Sequence, residues 1–156
     1  MPASRPSKSF RQFPSGPKSG RPTQPLAARH IKQLRRFGQI GWLGYLGGEP
    51  IAWCSVRPRE TFRKLKDSQP DDDGPVWSVT CFFVRRDYRR RGLSAKLLAA
   101  AADFARKRGA RISEAYPVDA GSPSYRFMGF LPLFKGHGFQ EVGQAGSRRH
   151  VVQRIL

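Results

Sequence analysis

The stretch Arg89-Arg90-Arg91-Gly92-Leu93-Ser94 places three guanidinium groups directly ahead of a glycine and, with Ala95, two small residues. Arg85 and Arg86 lie just upstream, so five arginines crowd one short segment and repel one another unless they share an anion. An apolar run, WSVTCFFV from Trp77 to Val84, precedes them, and AKLLAAAADFARKRG from Ala95 to Gly109 follows. Leu93, Leu97, Ala101, Phe104 and Ala105 recur at helical spacing, while Lys96, Asp103, Arg106 and Lys107 fall mostly elsewhere. A strand, a basic glycine-opened turn and a helix start gather N–H donors and positive charge at one point, which is how proteins hold a pyrophosphate. A nucleotide-like anion is the expected ligand. The alternative is a solvated basic turn leading into a core helix.

Arg89 to Ser94 resembles the R/Q-x-x-G-x-G/A pyrophosphate motif of the GNAT N-acetyltransferases, with Ser94 as the small residue in place of Gly or Ala. Val84 to Tyr88 resembles the end of that family's fourth strand, and GHGFQEV (Gly136 to Val142) resembles its Gly-Phe element between the last helix and the sixth strand. The resemblance runs from about Ile40 to Leu156. It implies an α/β fold, a mixed, mainly antiparallel twisted sheet flanked by helices. The N-terminal part is shortened, because one helical pattern precedes Gln39 where the family has a strand and two helices. The pocket is then open, or the N-terminal arm folds, or another chain completes it, as in a homodimer.

The resemblance also implies acetyl transfer from acetyl-CoA to an amine by direct attack, with the fourth and fifth strands parting to admit the pantetheine. Main-chain groups of Phe82, Phe83 and Val84 would pair with the pantetheine amides. Arg89, Arg90, Arg91, Gly92, Leu93, Ser94 and Ala95 would hold the pyrophosphate, and flanking guanidinium groups the 3′-phosphate. The thioester is already activated, so the protein must mainly position the amine, accept its proton and stabilise the oxyanion. Glu114, carried rigidly on the expected fifth strand, is the candidate general base; Glu60 or a water chain to either carboxylate is the alternative. The family's tyrosine five residues before the Gly-Phe phenylalanine is replaced by Phe134, leaving Tyr116 or Tyr125 as possible proton donors. Its asparagine after the fifth strand is replaced by the loop Asp119 to Ser124. A covalent route through Cys81 lacks an activating histidine, so Cys81 is expected to be a core thiol.

The chain has 156 residues, 38% of them hydrophobic, enough for one domain with its own core. Its formal charge of +18 is the compositional outlier, and residues 1 to 36 hold nine Lys or Arg and no acid. Such charge favours anionic ligands and allows weak, non-specific association with nucleic acid. Besides an acetyltransferase, a catalytically silent acyl-CoA-binding relative and a basic nucleic-acid-associated protein remain open. Single cysteines in apolar runs suit a reducing cytoplasm, and His30, His137 and His150 have no metal-ligand spacing, so no metal is expected. No apolar run is long enough for a membrane span.

Residues 1–25 carry six prolines among Ser, Gly and basic residues, and read as a disordered arm, with 26–156 as the acetyltransferase domain. The arm's acid-free, Arg/Ser-rich character also fits a transit peptide. Leu26, Ile31, Leu34 and Phe37 predict a helix over 26–37. QIGWLGYL and EPIAWCSVRP read as a hairpin around Gly47-Gly48, and 59–74 as a polar excursion. ARISEAYPVDA reads as a strand ended by Pro117, Phe127 to Phe134 as the start of a helix, and RRHVVQRIL as the last strand.

Overall fold

The computed structural model describes residues 9–12, 41–62 and 74–156. Seven strands form one sheet: β1 (Ser9–Gln12), β2 (Gly41–Leu46), β3 (Glu49–Pro58), β4 (Val76–Val84), β5 (Ile112–Ala115), β6 (Gln140–Ala145) and β7 (Arg149–Ile155). Their order is β1-β2-β3-β4-β5-β7-β6. Every neighbouring pair is antiparallel except β4–β5, which is parallel and is bridged by the helix α1 (Leu93–Lys107). The mixed, mainly antiparallel sheet therefore agrees with the sequence reading, as do the β2–β3 hairpin, β4, α1, β5 and β7.

The core lies between one sheet face and α1. Leu93, Leu97, Leu98, Ala101, Phe104 and Ala105 of the helix meet Cys54, Val56, Val79, Ala115 and Val152 of the sheet. Phe104 packs perpendicular to the rings of Trp42 and Trp77, each with ring centroids at 5.6 Å. The helix polarity follows the same logic: Asp103 bonds Arg106 and Lys107 on the exposed side, both at 2.8 Å.

Three expectations change. Four residues of the stretch read as a disordered arm, Ser9–Gln12, form the edge strand β1, paired with Trp42 to Tyr45. The segment from Phe127 to Phe134 is not one helix: a 3-10 turn (Arg126–Met128) is separated from the short helix α2 (Leu131–Lys135). Gly129 causes the break, with φ +88 and the Phe134 ring 2.8 Å from where a Cβ would stand, while Pro132 suits only the first turn of the new helix. Cys81 is half-buried rather than in the core. The predicted helix over 26–37 and most of the 59–74 excursion lie outside the described residues, although Arg59–Thr61 forms a 3-10 turn. Among the described residues, no helix is long and apolar enough to cross a membrane.

Candidate active site

The sheet opens between β4 and β5, and two local features account for it. Opposite Ser55 and Val56 of β3, the β4 register skips Thr80, so an extra residue bends β4 there. The β4–β5 pairing stops at once, at Val79 with Ala115. On the other wall the carbonyl of Pro117 points to β7, and so does the position of its missing N–H, which leaves the side toward β4 to its neighbours. Its carbonyl accepts from His150 N–H at 2.9 Å, which keeps the continuation of β5 on β7, while on the opposite side Val118 bonds Gly129 and Leu131 at 3.0 Å each, so that segment and not β4 is its neighbour there.

Beyond Thr80, the hydrogen-bond alternation of β4 decides which groups face the gap. Arg85 N–H bonds the Ile51 carbonyl at 2.9 Å, which makes Ala52–Val84 a non-hydrogen-bonded pair. By alternation, Phe83 exchanges its main-chain bonds with Trp53, whereas the main-chain groups of Phe82 and Val84 point to the open side. Of the three expected residues, then, Phe82 and Val84 turn main-chain groups to the gap, while the side chain of Phe83 is exposed.

At the far end of β4 the arginine-rich turn delivers the donors. Arg90 (φ +58) and Gly92 (φ +70) both adopt the left-handed region, costly for arginine and ordinary for glycine. Among the described residues, the amides of Arg90, Arg91, Gly92, Leu93, Ser94 and Ala95 have no backbone or capping acceptor, and the first turn of α1 contains no acid. Such a run of unclaimed N–H groups at the positive end of a helix fits a pyrophosphate. The arginines divide their work. Arg85 is paired with Glu49 (3.0 Å) and Asp87 (2.8 Å), and Arg89 Nε donates to the Val84 carbonyl at 3.1 Å. Arg86, Arg90 and Arg91 are exposed, so the mutual repulsion read from the sequence is relieved partly by Glu49 and Asp87.

Glu114 lies one residue before the last β4–β5 pair, on the sheet face opposite α1, and is fully buried. Oε2 accepts from Arg59 Nη1 at 3.1 Å and from Gln153 Nε2 at 2.8 Å. Oε1 accepts from Ser78 Oγ at 3.4 Å and from the Tyr116 hydroxyl. The expected carboxylate bordering an open cleft is instead enclosed by four donors, gathered from β4, β7, the Arg59 turn and the end of β5. Periodicity within β5 puts Tyr116 on the face of Glu114, but nothing local in the sequence announces Arg59 or Gln153. Burial, and then the charge of Glu114, hold the Tyr116 phenol above its ordinary pKa. Glu60 is exposed on the 3-10 turn after β3.

The other candidates separate by environment. Phe134 is fully buried against Phe82 (6.0 Å) and Phe139 (5.4 Å), as packing requires. Tyr125 is 42% exposed and lies in the loop after β5. Cys54 and Cys81 sit on neighbouring strands but pair with Phe82 and Ser55, and only Cys54 joins the α1-side core. Both are free thiols. Burial raises Cys81 to about 11 and Cys54 to about 12, which keeps both protonated and poor as nucleophiles.

The strands diverge, and β4, central among the seven, runs into an anion-ready helix start, as the resemblance implies. The profile of the Acetyltransferase (GNAT) family matches residues 8–130, so the chain belongs to that family. The match begins at residue 8, well before the Ile40 boundary read from the motifs, and takes in β1. Among similar solved structures, Ard1 from Thermoplasma volcanium has 13% identity and a TM-score of 0.59, covering 96% of this chain and 97% of that one. The ribosomal-protein-alanine N-acetyltransferase from Brucella melitensis has 20% identity and a TM-score of 0.56, covering 85% and 80%. The PaiA N-acetyltransferase from Thermoplasma acidophilum, in complex with coenzyme A, has 11% identity and a TM-score of 0.54, covering 83% and 69%. At these identities the likeness is one of fold. No curated protein sequence matches the chain.

Proposed function

We propose that the protein transfers an acetyl group from acetyl-CoA to an amine by direct attack. The observation that carries this reading is the opening of the sheet after Val79–Ala115, with main-chain groups of Phe82 and Val84 along one wall and six unclaimed amides at its end. Phe82 and Val84 would hold the pantetheine amides, and Arg90 to Ala95 the pyrophosphate, with Arg86, Arg90 or Arg91 for the 3′-phosphate. Acetyl-CoA supplies an activated acyl carbon: the amine nitrogen bonds to it, the carbon–sulfur bond breaks, and the sulfur leaves as thiolate.

The amine proton needs an acceptor, and we assign that role to Glu114. All its oxygens are engaged, so a proton reaches it only where a donor yields. The Ser78 hydroxyl, at 3.4 Å the loosest of the bonds with a stated length, can give its own proton to Oε1 while its oxygen takes the proton from the amine. Arg59 and Gln153 then keep the side chain in place through Oε2. Thiol release from acetyl-CoA in the presence of a panel of amines tests the reading. Turnover with at least one amine, absent from the acetyl-CoA blank, is the expected result; none, with acetyl-CoA demonstrably bound, would identify a silent acyl-CoA-binding protein.

A further inference from the structure

We infer that the acceptor amine carries a carboxylate or phosphate group, recognised by an arginine–aromatic patch on the β5 wall of the cleft; this rests on the transferase reading above. The patch is formed by the loop after β5 and the β6–β7 hairpin. Arg126 and Arg148 are exposed, Arg149 is half-buried, and none forms an ion pair among the described residues. The nearby acids are committed elsewhere: Asp119 and Glu141 flank His150 at 3.1 and 2.6 Å.

The three cations are held by built contacts rather than left as loose surface charges. Arg126 Nη1 donates to the carbonyls of Ala120 (3.3 Å) and Ser122 (3.2 Å), and Arg148 Nη1 donates to Ser124 Oγ (3.0 Å). Arg149 donates Nε to the Ala145 carbonyl (3.2 Å) and lies 4.9 Å over the ring of Tyr125. Tyr125 itself adopts φ +57, a strained conformation for an aromatic residue, which places its ring beside Phe127. Each guanidinium has five N–H donors, and these contacts use one nitrogen in each, so donors suited to paired oxygens remain.

Two residues along the chain from Phe127, Gly129 stands where a Cβ would come within 3.6 Å of Phe82 on the opposite wall. Val118, on the continuation of β5, bridges to both Phe130 and Arg149. The patch therefore joins the cleft at the side opposite β4. A nucleic-acid track fits less well, since Arg149 covers one of the two aromatic faces and Asp119 and Glu141 interrupt the positive surface.

The test compares glutamate and phosphoethanolamine with neutral glutamine amide and ethanolamine, and with a free-amine peptide bearing aspartates after its first residue. Wild-type protein should favour anion-bearing amines by about tenfold or more in kcat/KM, and Arg148→Glu should lower that preference about 10- to 100-fold while neutral amines and CoA affinity barely change. Arg148→Lys should recover most of it. Preference for the peptide over free amines would assign the anion to a protein acceptor, within the same inference. Equal turnover of charged and neutral amines by the wild type would overturn the inference and leave the transferase reading intact. If no amine is acetylated, that reading falls. Calorimetry of phosphoethanolamine with the CoA-bound protein then decides alone: binding weakened by Arg148→Glu supports the patch, and no binding overturns it.

Discussion

Replacing Glu114 by glutamine separates a chemical role from a structural one because the amide can keep most of the geometry. Its oxygen can still accept from Arg59 and Gln153, and its NH2 can donate to Ser78 and Tyr116 once their hydroxyls rotate. What disappears is the negative charge beside Arg59, whose side chain is 19% exposed. Removing one partner of a buried pair costs about 3–5 kcal/mol, and retained hydrogen bonds with partial solvation of Arg59 bring the expected loss to about 2–3 kcal/mol. For a domain of this size that lowers Tm by about 5–10 °C, so the variant should remain folded at 25 °C. If the carboxylate takes the amine proton, kcat in a thiol-release assay near neutral pH should fall by about 10²- to 10⁴-fold, with CoA affinity by calorimetry unchanged. The deficit should shrink toward alkaline pH, where more of the amine is already neutral. Unchanged kcat under chemistry-limited conditions would refute the assignment and direct attention to Glu60. A deficit constant from about pH 6 to 9 would show that Glu114 positions the acceptor instead.

Gly92→Asp introduces a carboxylate among the unclaimed amides while aspartate tolerates a left-handed backbone at about 1 kcal/mol; CoA affinity should drop at least about tenfold with a small Tm change, and wild-type affinity would remove the pyrophosphate site from this turn. Deleting residues 1–12 removes β1 and bares the β2 edge, so a lower Tm and salt-dependent self-association by light scattering are expected, whereas an unchanged Tm would show that β1 adds nothing to the sheet. His150 has a raised pKa, chiefly from its hydrogen bond to Glu141. Its contribution to stability is therefore complete below its unfolded pKa of about 6.5 and is lost as pH rises through the higher folded value. Urea midpoints should fall as pH rises above about 6.5 in the wild type and not in His150→Gln. Cys81→Ala should retain turnover, since a thiol held near 11 is protonated at neutral pH; abolished turnover in a folded variant would instead point to an acetyl-cysteine.

The arginine turn was legible because its chemistry is local: five arginines, a glycine and a helical repeat occupy one continuous stretch. β2, β3, β4 and α1 were legible for the same reason: the strands are continuous apolar, aromatic-rich runs and α1 carries its own helical repeat. β1 was hidden because SFRQ has no run of apolar residues and gains its identity only from a distant edge, at Trp42 to Tyr45. The division between the Arg126 turn and α2 depends on a ring packed against Gly129, a tertiary contact. Glu114 could be picked out as a strand carboxylate, but its enclosure could not, since Arg59, Ser78 and Gln153 come from three other elements. The aromatic–arginine patch was missed altogether: Tyr125 and Arg149 meet only when the hairpin folds beside the loop.

The parallel seam between β4 and β5 is four residue pairs long, and among the described residues it is the only strand pairing that joins the sheet's two antiparallel blocks, β1 to β4 and β5–β7–β6. A seam so short makes the C-terminal block a natural unit for sub-global opening, with amide exchange in β6 and β7 faster than in β3. A ligand lying in the gap would touch both blocks and act as a staple across the seam. Saturation with CoA would then slow exchange not only at the turn proposed to hold its pyrophosphate but throughout the far block, making the cleft a sensor of whether substrate is aboard.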